Sequence, residues 1–247
     1  MFPGQGAEST EMAGELYRDE PAFRGHLDEC ADLLAADGID LRAALRLPGA
    51  AAPGSARPTP QAADLTARPL LAQVALLSFE YGLARTLLGW GLEPAAVIGH
   101  SLGEYAAATI AGALSLADAL RLVAARGRLA EGLDPGGMLA VALPEAELLP
   151  QLGGALSLAA VNAPDACVVA GPRAPLRQLA ARLGRSGTAI RWLPVTRPFH
   201  SAAMDSVLAS FETFAVAATL CPARRAWMST LTGDWMTGGT EDRKSVV

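Results

Sequence analysis

The chain has 247 residues, of which 51% are hydrophobic and 18% charged, which suits one large domain or a domain with an inserted subdomain. Its formal net charge of −5 excludes a global basic field that would attract nucleic acid or an anionic membrane. No apolar run approaches the roughly 18 to 20 residues of a membrane span, and no secretory signal opens the chain, so we expect a cytoplasmic protein.

The first half of the chain predicts helices around one short buried strand. Apolar residues recur at spacings near three and four over 11–36, which predicts a helix, and the Pro- and Gly-rich stretch 48–64 predicts a loop. A second helix is predicted over 69–88 and a third from 116 to about 131. Between them, the apolar run 95–98 predicts the buried strand.

From about residue 136 the pattern changes to short, alternating elements. We predict a strand over 138–143, a helix over 144–152, a strand over 156–161, a turn over 162–165, a strand over 166–170, a helix over 172–185 and a strand over 190–195. This βαββαβ order is that of a ferredoxin-like unit. The pattern predicts a large α/β core with a parallel sheet, formed by residues 1–130 and 194–247, into which a small ferredoxin-like subdomain, 131–193, is inserted.

Residues 99–103 read Gly-His-Ser-Leu-Gly, directly between the predicted buried strand and a helix-forming stretch that begins at Glu104. A nucleophile elbow needs this arrangement, because its turn is so tight that only glycine fits on either side of the serine. The hydroxyl then stands exposed, and the helix N-terminus points backbone N–H groups at the same place. Ser101 is therefore the candidate nucleophile, and a glycine-rich turn without a catalytic role is the alternative.

A nucleophilic serine needs a base, and the chain holds three histidines. His200 follows the last strand predicted for the small subdomain, and loops that leave strands often carry catalytic groups. A histidine that caps the next helix is the alternative. His26 is interpreted as a surface residue and His100 as a support of the serine turn. The three cysteines have no metal-ligand spacing, so we expect reduced thiols and no metal site.

Two further positions could bind an acyl substrate. Arg126 has apolar neighbours on its predicted helix, and a buried arginine is a bidentate clamp for a carboxylate. The sequence alone favours the alternative, an exposed arginine on an amphipathic helix. Gln5 stands between Gly4 and Gly6, in a turn whose backbone N–H groups could approach an oxyanion.

Four motifs stand in order along the chain: FPGQG at 2–6, GHSLGEYAAA at 99–108, VAARGRLAEG at 123–132 and PFHS at 198–201. They closely resemble the acyltransferase domains of modular polyketide synthases and the related malonyl-CoA:acyl carrier protein transacylases of fatty acid synthesis. The resemblance extends from Phe2 to about Thr237. It implies an α/β-hydrolase-like core that carries a ferredoxin-like subdomain, in agreement with the pattern of predicted elements.

The resemblance also implies a role for each motif residue. Ser101 is the acyl-accepting nucleophile and His200 its general base, while Arg126 holds the free carboxylate of the extender unit. Gln5 and the backbone N–H of Leu102 form the oxyanion hole. The implied reaction moves a malonyl unit from malonyl-CoA to the phosphopantetheine thiol of an acyl carrier protein, without a cofactor of its own. The implied partners also include flanking ketosynthase or other synthase domains.

Specificity is implied by the residues around these motifs. Phe199 stands where malonyl-selective relatives usually carry phenylalanine, whose ring would crowd a methyl branch, so we expect malonyl-CoA as the substrate. Arg197 and Pro198, just before it, depart from the usual malonyl signature. Asn162 is a structural or pocket position in this family. Arg68 replaces a usual glutamine; at the pocket it would add a second cation, and a side chain that turns outward is the alternative. Compared with relatives, the chain is expected to be clipped at both ends.

Two alternatives of other classes stay open. A serine hydrolase of the esterase or patatin type uses the same elbow but has no need of an inward cation at Arg126. The third hypothesis is an inactive, truncated acyltransferase fragment.

Overall fold

The computed structural model of the chain describes residues 1–48 and 65–236. Two compact units are formed by Met1–Arg128 with Phe211–Val247 and by Leu129–Ser210. The second unit continues past residue 193, where the sequence placed the end of the small subdomain, and it therefore includes His200. The chain combines helices with two β-sheets, and the α/β class predicted from the sequence is confirmed.

The helices are α1 (Gly14–Asp19), α2 (Pro21–Ala35), α3 (Leu41–Ala44), α4 (Pro69–Gly89), α5 (Gly103–Ala111), α6 (Leu116–Glu131), α7 (Glu145–Leu148), α8 (Arg173–Arg185) and α9 (Asp205–Ala217). The strands are β1 (Val97–Ile98), β2 (Gly136–Val141), β3 (Ser157–Ala163), β4 (Ala166–Pro172), β5 (Ile190–Trp192), β6 (Trp227–Met228) and β7 (Trp235–Met236). Within the described residues, 3-10 turns cover Leu65–Ala67, Leu149–Gln151 and Ala202–Met204.

The predicted helix over 11–36 is divided into α1 and α2. Glu20 is extended, with φ −115° and ψ 101°, because a residue before proline disfavours the helical region. Its side chain then caps α2 by accepting a hydrogen bond from the Ala22 N–H. The loop predicted at 48–64 lies, from residue 49 onward, outside the described residues.

The sheet of the first unit has three strands in the order β1-β6-β7, with β1 parallel to β6 and β7 antiparallel to β6. Phe2 pairs in parallel with Gly99, next to the end of β1. Buried α4 lies against both α2 and α5. Of these helices, α5 lies against β1, the strand that leads to Ser101.

The sheet of the second unit has the order β3-β4-β2-β5, and every neighbouring pair is antiparallel. This is the strand order of a ferredoxin-like unit, as the βαββαβ pattern predicts. The predicted turn at 162–165 is shorter in the structure, since β3 continues to Ala163 and β4 begins at Ala166. One face of the sheet is covered by α8, whose buried side chains are Leu176, Leu179, Ala180 and Leu183.

None of the helices within residues 1–48 and 65–236 combines the length and the apolar character that a membrane-spanning segment requires.

Candidate active site

The turn between β1 and α5 holds Ser101 in a left-handed backbone conformation, with φ 52°. Such a conformation is uncommon for a residue with a Cβ and is kept only where the surroundings enforce it. A Cβ at Gly99 would collide with the backbone of Gly103 and Glu104, and one at Gly103 would collide with the Phe2 carbonyl. The tight strand-to-helix turn predicted around Ser101 is therefore present, and both glycines are required sterically.

The N-terminal segment is fastened to this elbow by main-chain hydrogen bonds. The Phe2 N–H donates to the Ile98 carbonyl, and the His100 N–H donates to the Phe2 carbonyl, both at 2.9 Å. A Cβ at Gly4 would lie 2.8 Å from the His100 carbonyl oxygen and 3.3 Å from the Ser101 Cβ. The glycine-flanked turn around Gln5 thus begins directly against the serine.

Two groups predicted for the oxyanion hole lie at this place. Leu102 is the N-cap residue of α5, so its N–H belongs to the helix end where amides lack intrahelical acceptors. The Gln5 side chain accepts a hydrogen bond of 3.0 Å from Nε2 of Gln73, which is fully buried on α4. Gln73 fixes the Gln5 side chain, and the sequence reasoning missed it. The sequence signal for Gln73 is its polar amide side chain within the apolar run of the helix predicted over 69–88.

Arg126 lies on α6, beside Tyr105 of α5. Tyr105 is four residues after Ser101 in the sequence. Arg126 is half-buried, so the alternative of an exposed arginine is wrong. Burial lowers the pKa of the Arg126 guanidinium, and the adjacent Tyr105 partly offsets that effect. Burial also raises the pKa of Tyr105 to about 12. The next residue, Gly127, lets α6 approach α4 closely, since a Cβ there would lie 2.5 Å from the Leu70 Cα.

Arg68 is exposed and precedes α4 as its N-cap residue, with no side-chain capping hydrogen bond. The pocket role of Arg68 stays a prediction.

His200 belongs to the second unit, in the loop after β5. Its side chain is exposed, and its φ of 55° is left-handed like that of Ser101. The following 3-10 turn is capped by Ser201, whose Oγ accepts from the Ala203 N–H at 3.3 Å. Ser201 Oγ also donates to the Pro198 carbonyl at 2.6 Å. These two hydrogen bonds fix the backbone before and after His200.

Arg197 anchors the same loop. Its guanidinium donates to the carbonyls of Ala130 at 3.1 Å, Glu131 at 3.0 Å and Thr196 at 3.2 Å. Arginine near a helix C-terminus satisfies carbonyls that have no intrahelical donor. The sequence predicts Arg197 only as a departure from the family signature, whereas in the structure its hydrogen bonds fix the loop that carries His200.

Phe199 and Asn162 also lie in the second unit. Phe199 is 4% exposed and packs in an apolar cluster with Met138, Val168 and Val195. Asn162 is exposed on β3, an edge strand. In the described part of the chain, no group of three or more His, Cys, Asp or Glu side chains is arranged to hold a metal ion.

In the first unit, the turn around Gln5 thus lies against the turn that holds Ser101 and Leu102. The same unit carries Arg126 on α6. The second unit carries His200 in a loop held by Arg197. An elbow serine beside helix N-terminal amides can attack an activated carbonyl and stabilise the oxyanion that forms.

The chain resembles known proteins along almost its whole length. A family model described as acyl transferase domain matches residues 1–244. One component of the phenolphthiocerol/phthiocerol polyketide synthase of Mycobacterium tuberculosis is 39% identical over 241 residues, which are 96% of this chain and 15% of that protein. Polyketide synthase GfsB of Streptomyces halstedii is 40% identical over 238 residues, which are 94% of this chain and 4% of that protein. The chain thus spans a small part of these curated relatives.

Solved structures show the same fold. The acyl transferase domain of SpnD, in complex with 2-(pent-4-yn-1-yl)malonyl, has a TM-score of 0.82 at 40% identity, over 96% of this chain and 54% of that one. FabD from Acinetobacter baumannii has a TM-score of 0.83 at 26% identity, over 99% of this chain and 76% of that one.

Proposed function

The chain belongs to the acyl transferase domain family found in polyketide synthases and FabD-like malonyl transacylases, and from this premise we propose that it transfers a malonyl group from malonyl-CoA to an acyl carrier protein. The observation that carries the proposal is the elbow at Ser101. The backbone of Ser101 is strained, and the serine lies at the start of a helix between two glycines that the turn requires sterically. This geometry suits a serine that accepts an acyl group. The proposed oxyanion donors are the N–H of Leu102, in this turn, and that of Gln5, in the N-terminal turn whose Gly4 approaches Ser101.

In the first half-reaction, Ser101 Oγ attacks the thioester carbonyl while His200 takes the hydroxyl proton. The C–O bond forms, and the carbonyl oxygen becomes an oxyanion that the N–H groups of Leu102 and Gln5 stabilise. The C–S bond then breaks, His200 gives the proton to the CoA sulfur, and CoA leaves as the thiol. The product is a malonyl ester of Ser101.

In the second half-reaction, the phosphopantetheine thiol of the carrier protein takes the place of CoA. His200 removes the thiol proton, the sulfur attacks the ester carbonyl, and Ser101 Oγ leaves with that proton. Each half-reaction regenerates the free base, so no cofactor is consumed. The partners in this proposal are malonyl-CoA, the carrier protein and flanking synthase domains.

Arg126 is proposed to bind the free carboxylate of the malonyl group. Burial disfavours its charged form, and a bound carboxylate restores the balance of charge through a bidentate pair. This contact lies away from the reacting carbonyl, so it positions the acyl group without interfering with the chemistry. An esterase that acts on neutral esters has no use for it.

The selectivity for malonyl over methylmalonyl is proposed to depend on Phe199. Its ring is 4% exposed and is fixed by the apolar cluster of the second unit, so it does not move aside readily. Excluding one methyl group corresponds to roughly 1 to 3 kcal/mol of discrimination.

The test is intact-mass spectrometry of the chain after incubation with equal amounts of malonyl-CoA and methylmalonyl-CoA. We expect a malonyl adduct that forms about tenfold faster than the methylmalonyl adduct. The adduct should be absent from Ser101→Ala and present in the matched control Ser186→Ala, whose serine is exposed after α8.

Three results would contradict the proposal. A folded sample without an adduct indicates an inactive fragment. An adduct that water removes faster than a carrier-protein thiol does indicates a serine hydrolase. Equal labelling by both CoA esters refutes the malonyl preference alone.

A further inference from the structure

The turn that carries Gln5 is held both at its side chain and along its backbone. From buried α4, Gln73 Nε2 donates to the Gln5 side chain at 3.0 Å. In the next peptide group, the Gly6 N–H donates to Oε2 of Glu8 at 2.6 Å. Gly6 has a left-handed φ of 108°, which glycine adopts without steric cost. The peptide group that follows Gln5 is therefore fixed by the side chain of Glu8.

The hydrogen bond between Gly6 and Glu8 is of a strong kind. Its 2.6 Å is shorter than the usual N–H···O range of roughly 2.7 to 3.2 Å. A bond to an ionised carboxylate is about twice as strong as one between neutral groups. Burial raises the pKa of the half-buried Glu8, and the backbone N–H groups of residues 6–8 partly offset that effect. These N–H groups therefore favour the ionised form of Glu8.

Glu8 faces a second carboxyl group, that of Glu80 on α4. Glu80 lies two turns after Gln73, on the same face of the helix. Burial and, more weakly, the charge of Glu8 raise the pKa of Glu80 to about 8, against the opposing effect of the Met1 amine. One face of α4 thus holds the Gln5 side chain through Gln73 and places a protonated acid beside Glu8.

Stability alone does not account for a carboxylate at position 8. The pKa of Glu8 is higher in the folded chain than its ordinary value, so ionised Glu8 destabilises the fold once the pH exceeds that pKa. A glutamine has nearly the same shape and keeps an oxygen that can accept from the Gly6 N–H. Such a neutral side chain would avoid the cost of burying a charge.

We propose that Glu8 is a positioning residue: its carboxylate holds the Gly6 N–H and thereby aims the Gln5 N–H at the oxyanion of the acylation step. This inference rests on the proposed function, which supplies the oxyanion. The turn reaches the nucleophile at Gly4, where a Cβ would lie 3.3 Å from the Ser101 Cβ. A donor stabilises a transition state fully only when it is already directed at the place where charge develops.

The test uses two substitutions of Glu8 in the full chain. Glu8→Ala removes the acceptor, and Glu8→Gln replaces the charged acceptor by a neutral one. The matched controls are Glu11→Ala and Glu11→Gln, which change a carboxylate of the same segment whose side chain is 82% exposed. Denaturant unfolding establishes that the four variants are folded. Rapid-quench measurement of acyl-serine at several malonyl-CoA concentrations gives the maximal rate and the half-saturating concentration.

We expect Glu8→Ala to lower the maximal rate of acylation about tenfold, because a donor that is no longer aimed loses much of its effect. The half-saturating concentration should stay within about twofold, since the oxyanion exists in the transition state and not in the bound substrate. Glu8→Gln should lower the rate about threefold at about pH 7.5, and the Glu11 variants should match wild type. An unchanged rate in Glu8→Ala overturns the inference, as does a higher half-saturating concentration without a loss of rate.

The pH dependence separates positioning by the charge from a general structural role. At pH 4.5 more than half of Glu8 is protonated, because its pKa lies above that value. Protonated Glu8 and glutamine offer the same kind of neutral acceptor, so the ratio of the wild-type rate to the Glu8→Gln rate should fall from about three to two or less. The titration of His200 occurs in both chains and cancels in this ratio. A ratio that is independent of pH overturns the inference.

Failure of the proposed function has a different signature. A wild-type chain that forms no acyl-serine contradicts the proposed reaction. Proton NMR then still tests Glu8 without turnover, because an amide proton that is bonded to a carboxylate changes its resonance when the carboxylate titrates. We expect the Gly6 amide resonance to titrate in wild type and to stay constant in Glu8→Gln. A Gly6 resonance that does not respond to pH in wild type is contrary to the inference.

Discussion

At the scale of single residues, Arg126 shows how burial and charge oppose each other at the site. The Arg126 guanidinium lies beside Tyr105, and its removal from water lowers the pKa of Arg126. The helix that carries it, α6, approaches α4 closely at Gly127. A half-buried cation gains most from an anion that arrives with the substrate. The same group contributes little to the binding of a neutral acyl chain.

Arg126→Ala should therefore reduce loading from malonyl-CoA about 100-fold, because the variant lacks the half-buried cation proposed to pair with the malonyl carboxylate. Loading from acetyl-CoA, which has no free carboxylate, should change little. The matched control is Arg128→Ala on the same helix, where an exposed arginine donates to the Asp37 carbonyl. Rates come from rapid-quench measurement of acyl-serine with each CoA ester. Equal losses with both esters would falsify the assignment of Arg126 as the carboxylate clamp.

The residues of the site differ in how far the sequence could predict them. The elbow at Ser101 follows from sterics that are local, since Gly99 and Gly103 flank the serine and collide if they gain a Cβ. The burial of Arg126 depends on which face of α6 is covered, which no local pattern reveals. Arg197 could not be predicted, because its main partners are carbonyls of a distant helix end.

At the scale of elements, one carboxylate joins the helix after the nucleophile to the sheet. Glu104 on α5 is 6% exposed. Its carboxylate accepts hydrogen bonds from Trp227 Nε1 at 3.0 Å and from the Thr230 N–H at 2.6 Å, and also from the Thr230 hydroxyl. Three donors converge on one charged group, so β6 and the following turn are held against α5. This helix carries the proposed oxyanion donor at its start.

Glu104→Gln should lower the free energy of unfolding by about 2 to 4 kcal/mol. An amide has one acceptor oxygen, so at least one of the three donors loses its bond and the new NH₂ group faces a donor. Thr230→Val removes only the hydroxyl, keeps the backbone N–H, and should lower it by about 1 kcal/mol. Denaturant unfolding gives both values. The role of Glu104 is refuted by a glutamine variant as stable as wild type.

Element types were predictable from periodicity, and element ends were less so. The spacing over 69–88 and 116–131 matches α4 and α6 closely, because long amphipathic or buried helices have a strong signal. The strand predicted over 95–98 is limited to Val97–Ile98. Its length is set by its pairing with β6, far along the chain, and such a partner is not visible locally.

At the scale of the whole molecule, one buried acid links folding to pH. Glu80 on α4 is 5% exposed, and within the described residues neither carboxylate oxygen has a hydrogen-bond partner. Burial raises the pKa of Glu80 from 4.5 to about 8; the N-terminal amine partly offsets this, and Glu8 adds to it. Burial also raises the pKa of Glu8 itself. The folded chain therefore keeps a proton on Glu80 at pH 7.

The consequence for stability follows from proton binding. Between about pH 4.5 and pH 8 the unfolded chain has released the Glu80 proton while the folded chain retains it. The unfolded state binds fewer protons in this window, so the free energy of unfolding falls as pH rises. The contribution is complete below pH 4.5 and is lost by about pH 8, with a limiting slope of about 1.4 kcal/mol per pH unit.

Glu80→Gln should flatten this profile, because the amide does not titrate and keeps the shape of the neutral acid. We expect the variant to match wild type at about pH 5 and to exceed it by a few kcal/mol at about pH 8. The control Glu15→Gln changes an exposed carboxylate of α1 and should leave the slope of wild type intact. Denaturant unfolding at several pH values measures all three chains. Parallel profiles for Glu80→Gln and wild type would show that Glu80 is ionised in the folded chain, since a charged group buried without partners is tolerated only if water reaches it.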